Sequence, residues 1–120
     1  MRWISLFVAA SALVALASPA AAHAMLESAL PRVGSIATAP SELQLNFSEV
    51  VVPMLSTVAL NDEHGGQIVL GELYNTPNGR RTLHVPIPAR LLPGRYNVHW
   101  RVVSADSHVT QGGYAFTVRT

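Results

Sequence analysis

An all-β domain, an antiparallel Greek-key β-sandwich or barrel of about seven strands, is what the sequence predicts, and three observations predict it. Apolar and polar residues alternate at period two in several short runs. Clusters of Gly, Pro, Asn and Asp separate those runs. Beyond residue 22 no stretch shows the 3.6-residue period of an amphipathic helix, so the strands must pack against one another.

Residues 1–22 read as a cleaved secretory signal peptide. Arg2 forms the basic start, an apolar run extends from Ile4 to Ala17, and Ala20-Ala21-Ala22 supplies the small residues of a cleavage site. The apolar run is shorter than the ~20 residues a membrane-spanning helix needs. Cleavage would leave residues 23–120 as one domain beginning at His23.

In order, His23 to Pro31 lacks helix signals and ends in proline, which suits an extended edge segment. Glu42 to Ser48 alternates, placing Leu43, Leu45 and Phe47 on a buried face. Pro53 interrupts the next run, which resumes from Ser56 to Leu60, and the turn Asn61 to Gly66 leads into a return strand from Gln67 to Leu70. Asn75 to Arg81 reads as a loop, and Thr82 to Ile87 alternates with Leu83, Val85 and Ile87 together. After the turn Leu92-Pro93-Gly94, the clearest strand buries Tyr96, Val98, Trp100 and Val102. Gly112-Gly113 precedes a last strand carrying Tyr114, Phe116 and Val118 inward.

The charge balance narrows the function. All eight basic residues are arginine; without Arg2, seven remain against seven acidic residues. A neutral chain argues against nucleic acid and against electrostatic attachment to a membrane surface. There is no cysteine, so neither disulfides nor thiolate ligands contribute. Any metal would be held by nitrogen, oxygen or thioether, and imidazole with carboxylate suits copper(II).

The strand from Trp100 runs into Val103-Ser104-Ala105-Asp106-Ser107-His108, a carboxylate and an imidazole two residues apart. In an extended segment both side chains would leave on one side, ~7 Å apart at the backbone. That spacing is not decisive by itself, because Asp62-Glu63-His64 repeats it in what reads as a polar hairpin tip. The second half of the proposed metal site is His23, whose α-amine and ring would together offer two neutral nitrogens once the leader is removed.

His23 after the leader, Asn46-Phe47-Ser48-Glu49, Leu92-Pro93-Gly94-Arg95-Tyr96, and Trp100 through His108 resemble the CopC family of periplasmic copper-binding proteins, over essentially the whole mature chain. The resemblance implies a cupredoxin-like or immunoglobulin-like sandwich in the periplasm. It implies one copper(II) per chain, bound by His23 (amine and ring), Asp106 and His108. Glu49 is implied as a weak or water-bridged ligand or a neighbour of the ligands. It further implies a role in copper homeostasis and resistance, with an inner-membrane copper transporter of the CopD type as partner. Some family members hold copper(I) in a methionine-rich loop; here only Met25 and Met54 remain in the mature chain, far apart, and they read as packing residues.

His64, His84 and His99 read as solvated or hydrogen-bonded side chains, and Trp100 as core next to the metal strand. Ser104, Asp106 and His108 do not make a hydrolase triad, since they share one short segment and no G-x-S-x-G elbow is present. Two other classes stand beside the copper carrier. One is a copper-dependent oxidative polysaccharide-cleaving enzyme, which would also use an N-terminal histidine but needs a flat aromatic surface. The other is a structural sandwich with an incidental metal site. The expectation is a monomeric, non-catalytic copper(II) protein.

Overall fold

The computed structural model describes residues 23–120. The proposed signal peptide lies outside the described residues. Within them the chain forms nine strands: β1 (Leu26–Leu30), β2 (Ile36–Ala37), β3 (Glu42–Phe47), β4 (Thr57–Asp62), β5 (Gln67–Ile68), β6 (Tyr74–Thr76), β7 (Gly79–Pro86), β8 (Gly94–Val103) and β9 (Val109–Val118). They make two sheets, a four-stranded one ordered β1-β3-β7-β6 and a five-stranded one ordered β2-β9-β8-β4-β5. The expected sandwich is therefore the observed architecture. Every pairing is antiparallel except the short parallel contact of β2 with β9.

Period-two alternation explains how the sheets face each other. Leu43, Leu45 and Phe47 of β3, with Leu83 and Val85 of β7, point inward from one sheet. Tyr96, Val98, Trp100 and Val102 of β8, with Tyr114, Phe116 and Val118 of β9, point inward from the other. Each large side chain so buried is worth roughly 1.5–3 kcal/mol. Phe47 and Trp100 meet across the sheets edge to face, with ring centroids 5.1 Å apart, an arrangement that adds about 0.5–1.5 kcal/mol beyond area burial.

Three sequence expectations change. The stretch Asn75 to Arg81, expected as a loop, holds the end of β6 and the start of β7 joined by a tight turn. Gly112 and Gly113 do not precede the last strand but lie inside it, opposite Trp100 and His99. Their lack of side chains has a steric cause: a Cβ on Gly112 would stand 2.5 Å from the Trp100 ring, and one on Gly113 would stand 2.9 Å from the Val98 carbonyl. Finally, Met25 and Met54 are not packing residues. Met25 flanks the buried Ala24 and is 66% exposed, and Met54 sits in a single 3-10 turn, Pro53–Leu55, at 93% exposure.

Candidate metal centre

The first described residues are held in place by hydroxyl groups. Ala24, immediately after His23, is fully buried, and Thr110 Oγ1 donates to its carbonyl at 2.8 Å. The Met25 amide donates to Ser48 Oγ at 2.9 Å, and the Ser48 amide returns a bond to the Met25 carbonyl at 2.9 Å. Ser48 Oγ also lies 3.4 Å from the His23 carbonyl oxygen. His23 is thus an exposed side chain on a backbone clamped between the end of β3 and the start of β9.

At the same end of the sandwich, β8 leaves the sheet at Val103 and the chain turns back within five residues. The Ser104 amide donates to the His108 carbonyl at 2.9 Å, and the Ser107 amide to the Ser104 carbonyl at 2.9 Å. Ser107 takes a left-handed conformation with φ of 73°, which closes the turn. Two further bonds tie the loop and its stem to the preceding segment, Ala105 N–H to the Val50 carbonyl and Val52 N–H to the Val103 carbonyl. The approach of Asp106 to His108 therefore does not come from an extended strand, as the spacing suggested. A turn produces it.

Within this turn the side chains form a directed chain. Ser104 is buried, and its hydroxyl donates to Asp106 Oδ1. The other carboxylate oxygen, Asp106 Oδ2, lies 3.0 Å from His108 Nδ1. The hydrogen bond from Ser104 lowers the Asp106 carboxyl below its ordinary value; slight desolvation opposes this, and the contacts with His108 add to the lowering. With Nδ1 facing Asp106, the outer nitrogen of His108, Nε2, is left for another partner. The His23 ring supplies the neighbour: its centroid is 5.2 Å from that of His108, with the planes at 80°.

His23, Asp106 and His108 are thus brought together from the two ends of the described chain. Glu49 is half-buried on the bend after β3, between Ser48, which holds the His23 segment, and Val50, which holds Ala105. Among the described residues no group of three or more His, Asp or Glu side chains is already focused on one point as a closed metal cage. Asp106 directs its two oxygens at Ser104 and His108 instead. The His108 and Asp106 side chains are 48% and 49% exposed, which leaves them room to turn toward an incoming ion.

Sequence reasoning missed the supports: Ser104, Ser48, Thr110 and Ala24. Ser104 and Ser48 lay inside motifs already singled out, but the role of a hydroxyl depends on which distant backbone it meets. The remaining histidines behave as ordinary polar residues. His64 sits at the β4–β5 hairpin tip 3.6 Å from Glu63, and His99 Nδ1 is 3.1 Å from the Gly112 carbonyl. His84 stacks on Tyr74 and faces Glu42 at 3.3 Å.

The comparisons with known proteins follow this geometry. The family model described as the CopC domain matches residues 26–119. The chain belongs to the CopC family. The match begins three residues after His23 and takes in Glu49, Asp106 and His108. Copper resistance protein C of Escherichia coli is 36% identical over 108 residues, covering 83% of this chain and 84% of the relative. The crystal structure of CopC from Methylosinus trichosporium OB3b superposes with a TM-score of 0.75 at 33% identity, over 81% of this chain and 94% of that one. That of PcoC from Escherichia coli, described as a methionine-rich copper resistance protein, gives 0.74 at 30% identity over 82% and 100%. This CopC-family chain is not methionine-rich, with three methionines in all.

Proposed function

We propose that the mature protein begins at His23 in the periplasm, binds one copper(II) ion per chain, and serves copper homeostasis by buffering the ion or passing it to an inner-membrane transporter of the CopD type. The observation that carries this reading is the His23–His108 ring pair at 5.2 Å beside a carboxylate that orients His108. The proposed donors are the His23 α-amine and ring, the His108 Nε2 and the Asp106 carboxylate, a nitrogen- and oxygen-rich set suited to copper(II). Glu49 stands next to it as a weak or water-bridged contact.

The chemistry depends on processing, since only a free His23 amine can act as a ligand. With a reference pKa of about 7.7–8.0, that amine must lose its proton to bind, so affinity falls in acid. Asp106 stays anionic to lower pH than an ordinary carboxyl, because Ser104 holds it. No catalysis is proposed. The large aromatics Phe47, Trp100, Tyr96, Tyr114 and Phe116 are turned into the core, and the one exposed aromatic among the described residues, Tyr74, is stacked on His84 and hydrogen-bonded to Glu42, which is less than the flat platform a polymer would need.

Calorimetric titration of the mature protein with copper(II) tests the reading. One saturable site is expected, and His108→Ala is expected to weaken it by roughly a hundredfold or more, beyond the 10–100-fold typical of losing a residue that only supports a ligand. Unchanged binding in that variant contradicts the proposal. Because copper would bind the native state alone, saturation at a thousandfold excess over the dissociation constant should raise unfolding stability by ~4 kcal/mol.

A further inference from the structure

The outward face of the five-stranded sheet carries an arrangement that the copper site does not use. β8 is its central strand and presents Arg95, Asn97, His99 and Arg101 to solvent, all exposed. Register places Ala59 and Gly113 on either side of His99, and Asn61 and Ala115 on either side of Asn97. Thr57 and Gln111 flank Arg101 in the same way. The flanking side chains are short or uncharged, so the two guanidiniums and the imidazole stand up as a ridge. No carboxylate projects from the outward positions of β4, β8 or β9.

Neither Arg95 nor Arg101 forms an ion pair or side-chain hydrogen bond among the described residues. The opposite sheet differs. Its outward carboxylate, Glu42, accepts a 2.6 Å hydrogen bond from Tyr74 and faces His84. No arginine of the described residues is in an ion pair, Arg80 and Arg81 of β7 included, so what sets Arg95 and Arg101 apart is that no carboxylate shares their sheet face.

Two features give the ridge a direction. At the Arg95 end, Glu63 lines the same small cleft as Arg95 and lowers the local positive charge. At the other end, Arg101 lies two residues before Val103, where β8 enters the loop of Asp106 and His108. The Arg101 end is therefore the one that borders the proposed copper site.

We propose that this face docks an acidic, extended segment of a partner protein, with carboxylates of the partner engaging Arg101 and Arg95 across His99. Outward residues on a strand recur every ~6.6–6.8 Å. Arg95 and Arg101 are six residues apart, three such repeats or ~20 Å, so carboxylates six residues apart in an extended segment match them, and guanidinium favours paired, planar contacts with carboxylate. Two guanidiniums fall short of the clusters of about 4–8 basic residues that hold a protein to an anionic bilayer, which favours a local protein contact over a lipid surface. The contact deepens the hand-off reading by setting a partner beside His108, yet it can be tested without copper.

The probe is poly-L-glutamate added to the metal-free mature protein at low salt, followed by amide chemical shifts. The expected result is salt-sensitive binding with shifts concentrated on Arg95, His99, Arg101 and their neighbours on β4 and β9. The double variant Arg95→Glu/Arg101→Glu should bind at least about tenfold more weakly, a loss of about 1.4 kcal/mol. The control Arg80→Glu/Arg81→Glu, on β7 of the other sheet, should bind as the unaltered protein does. Equal loss in the control, shifts mapping elsewhere, or absence of binding overturns the proposal. So does stronger association with phosphatidylglycerol vesicles than with polyglutamate. Both double variants alter exposed side chains, and unchanged thermal unfolding and copper(II) affinity would separate a docking defect from failure of the copper site.

Discussion

The molecule contains the same three-residue spacing twice, and the two copies behave differently. At the β4–β5 tip, Asp62 Oδ1 accepts amide hydrogen bonds from His64 at 2.9 Å and Gly66 at 2.8 Å, so the carboxylate closes its own turn. The His64 ring is left at 85% exposure beside Glu63. At the β8–β9 turn, backbone bonds and the positive φ of Ser107 close the loop, and Ser104 takes one oxygen of Asp106. The other oxygen is free to orient His108, and His23 arrives from a separate segment to face that ring. An Asp-x-His spacing becomes a candidate metal site only when the turn does not consume the carboxylate and a second piece of chain is anchored against it.

Several changes should sharpen or break that contrast. The largest effect is expected from one extra residue ahead of His23. It converts the α-amine to an amide, and copper(II) affinity should fall by about a hundredfold or more, as for loss of a direct ligand, whereas His64→Ala should leave affinity unchanged. Equal affinity with and without the extra residue would show that the terminus is not a ligand. Next in size, Ser104→Ala removes the bond that holds Asp106. Calorimetry should find copper(II) affinity reduced about 10-fold, within the range for a group that orients a ligand.

At the other turn, Asp62→Ala should cost about 1 kcal/mol of stability for its lost amide bonds, read by denaturant unfolding, with copper(II) binding intact. A loss of copper binding there would erase the distinction between the two copies. The smallest effect concerns acid titration of the metal-free protein. The folded carboxyl of Asp106 is lowered, so its interactions stabilise the fold above the unfolded value of ~3.9 and are lost as pH falls through the lower folded value. Its side-chain carbon resonance should titrate below ~3.9, and Ser104→Ala should bring the midpoint back up. A midpoint at or above ~3.9 in the unaltered protein would remove Ser104 from its assigned role.

The parts of the fold legible in the sequence are those with room to alternate. β3, β7, β8 and β9 each expose a run of buried residues at every second position, and their inward faces match the expectation. β2 and β6, of two and three residues, are too short to carry a period. The glycines of β9 looked like a boundary because their cause is the Trp100 ring on a neighbouring strand. At the site, His23, Asp106 and His108 could be named from the chain, while Ser48 and Thr110 could not. Their hydroxyls act on backbone 23 and 86 residues away in sequence, and only tertiary structure creates that contact. Met54 is exposed for a related reason: it stands in the 3-10 turn Pro53–Leu55, which buries none of its residues, and apolar character alone does not reveal that.

Electron paramagnetic resonance of the copper(II)-loaded mature protein tests the central claim most directly, because it counts coupled nitrogens. The account predicts a single species with nitrogen couplings from the His23 amine, the His23 ring and the His108 ring, losing one nitrogen in His108→Ala. A spectrum unchanged by His108→Ala, or one without nitrogen coupling, would contradict it.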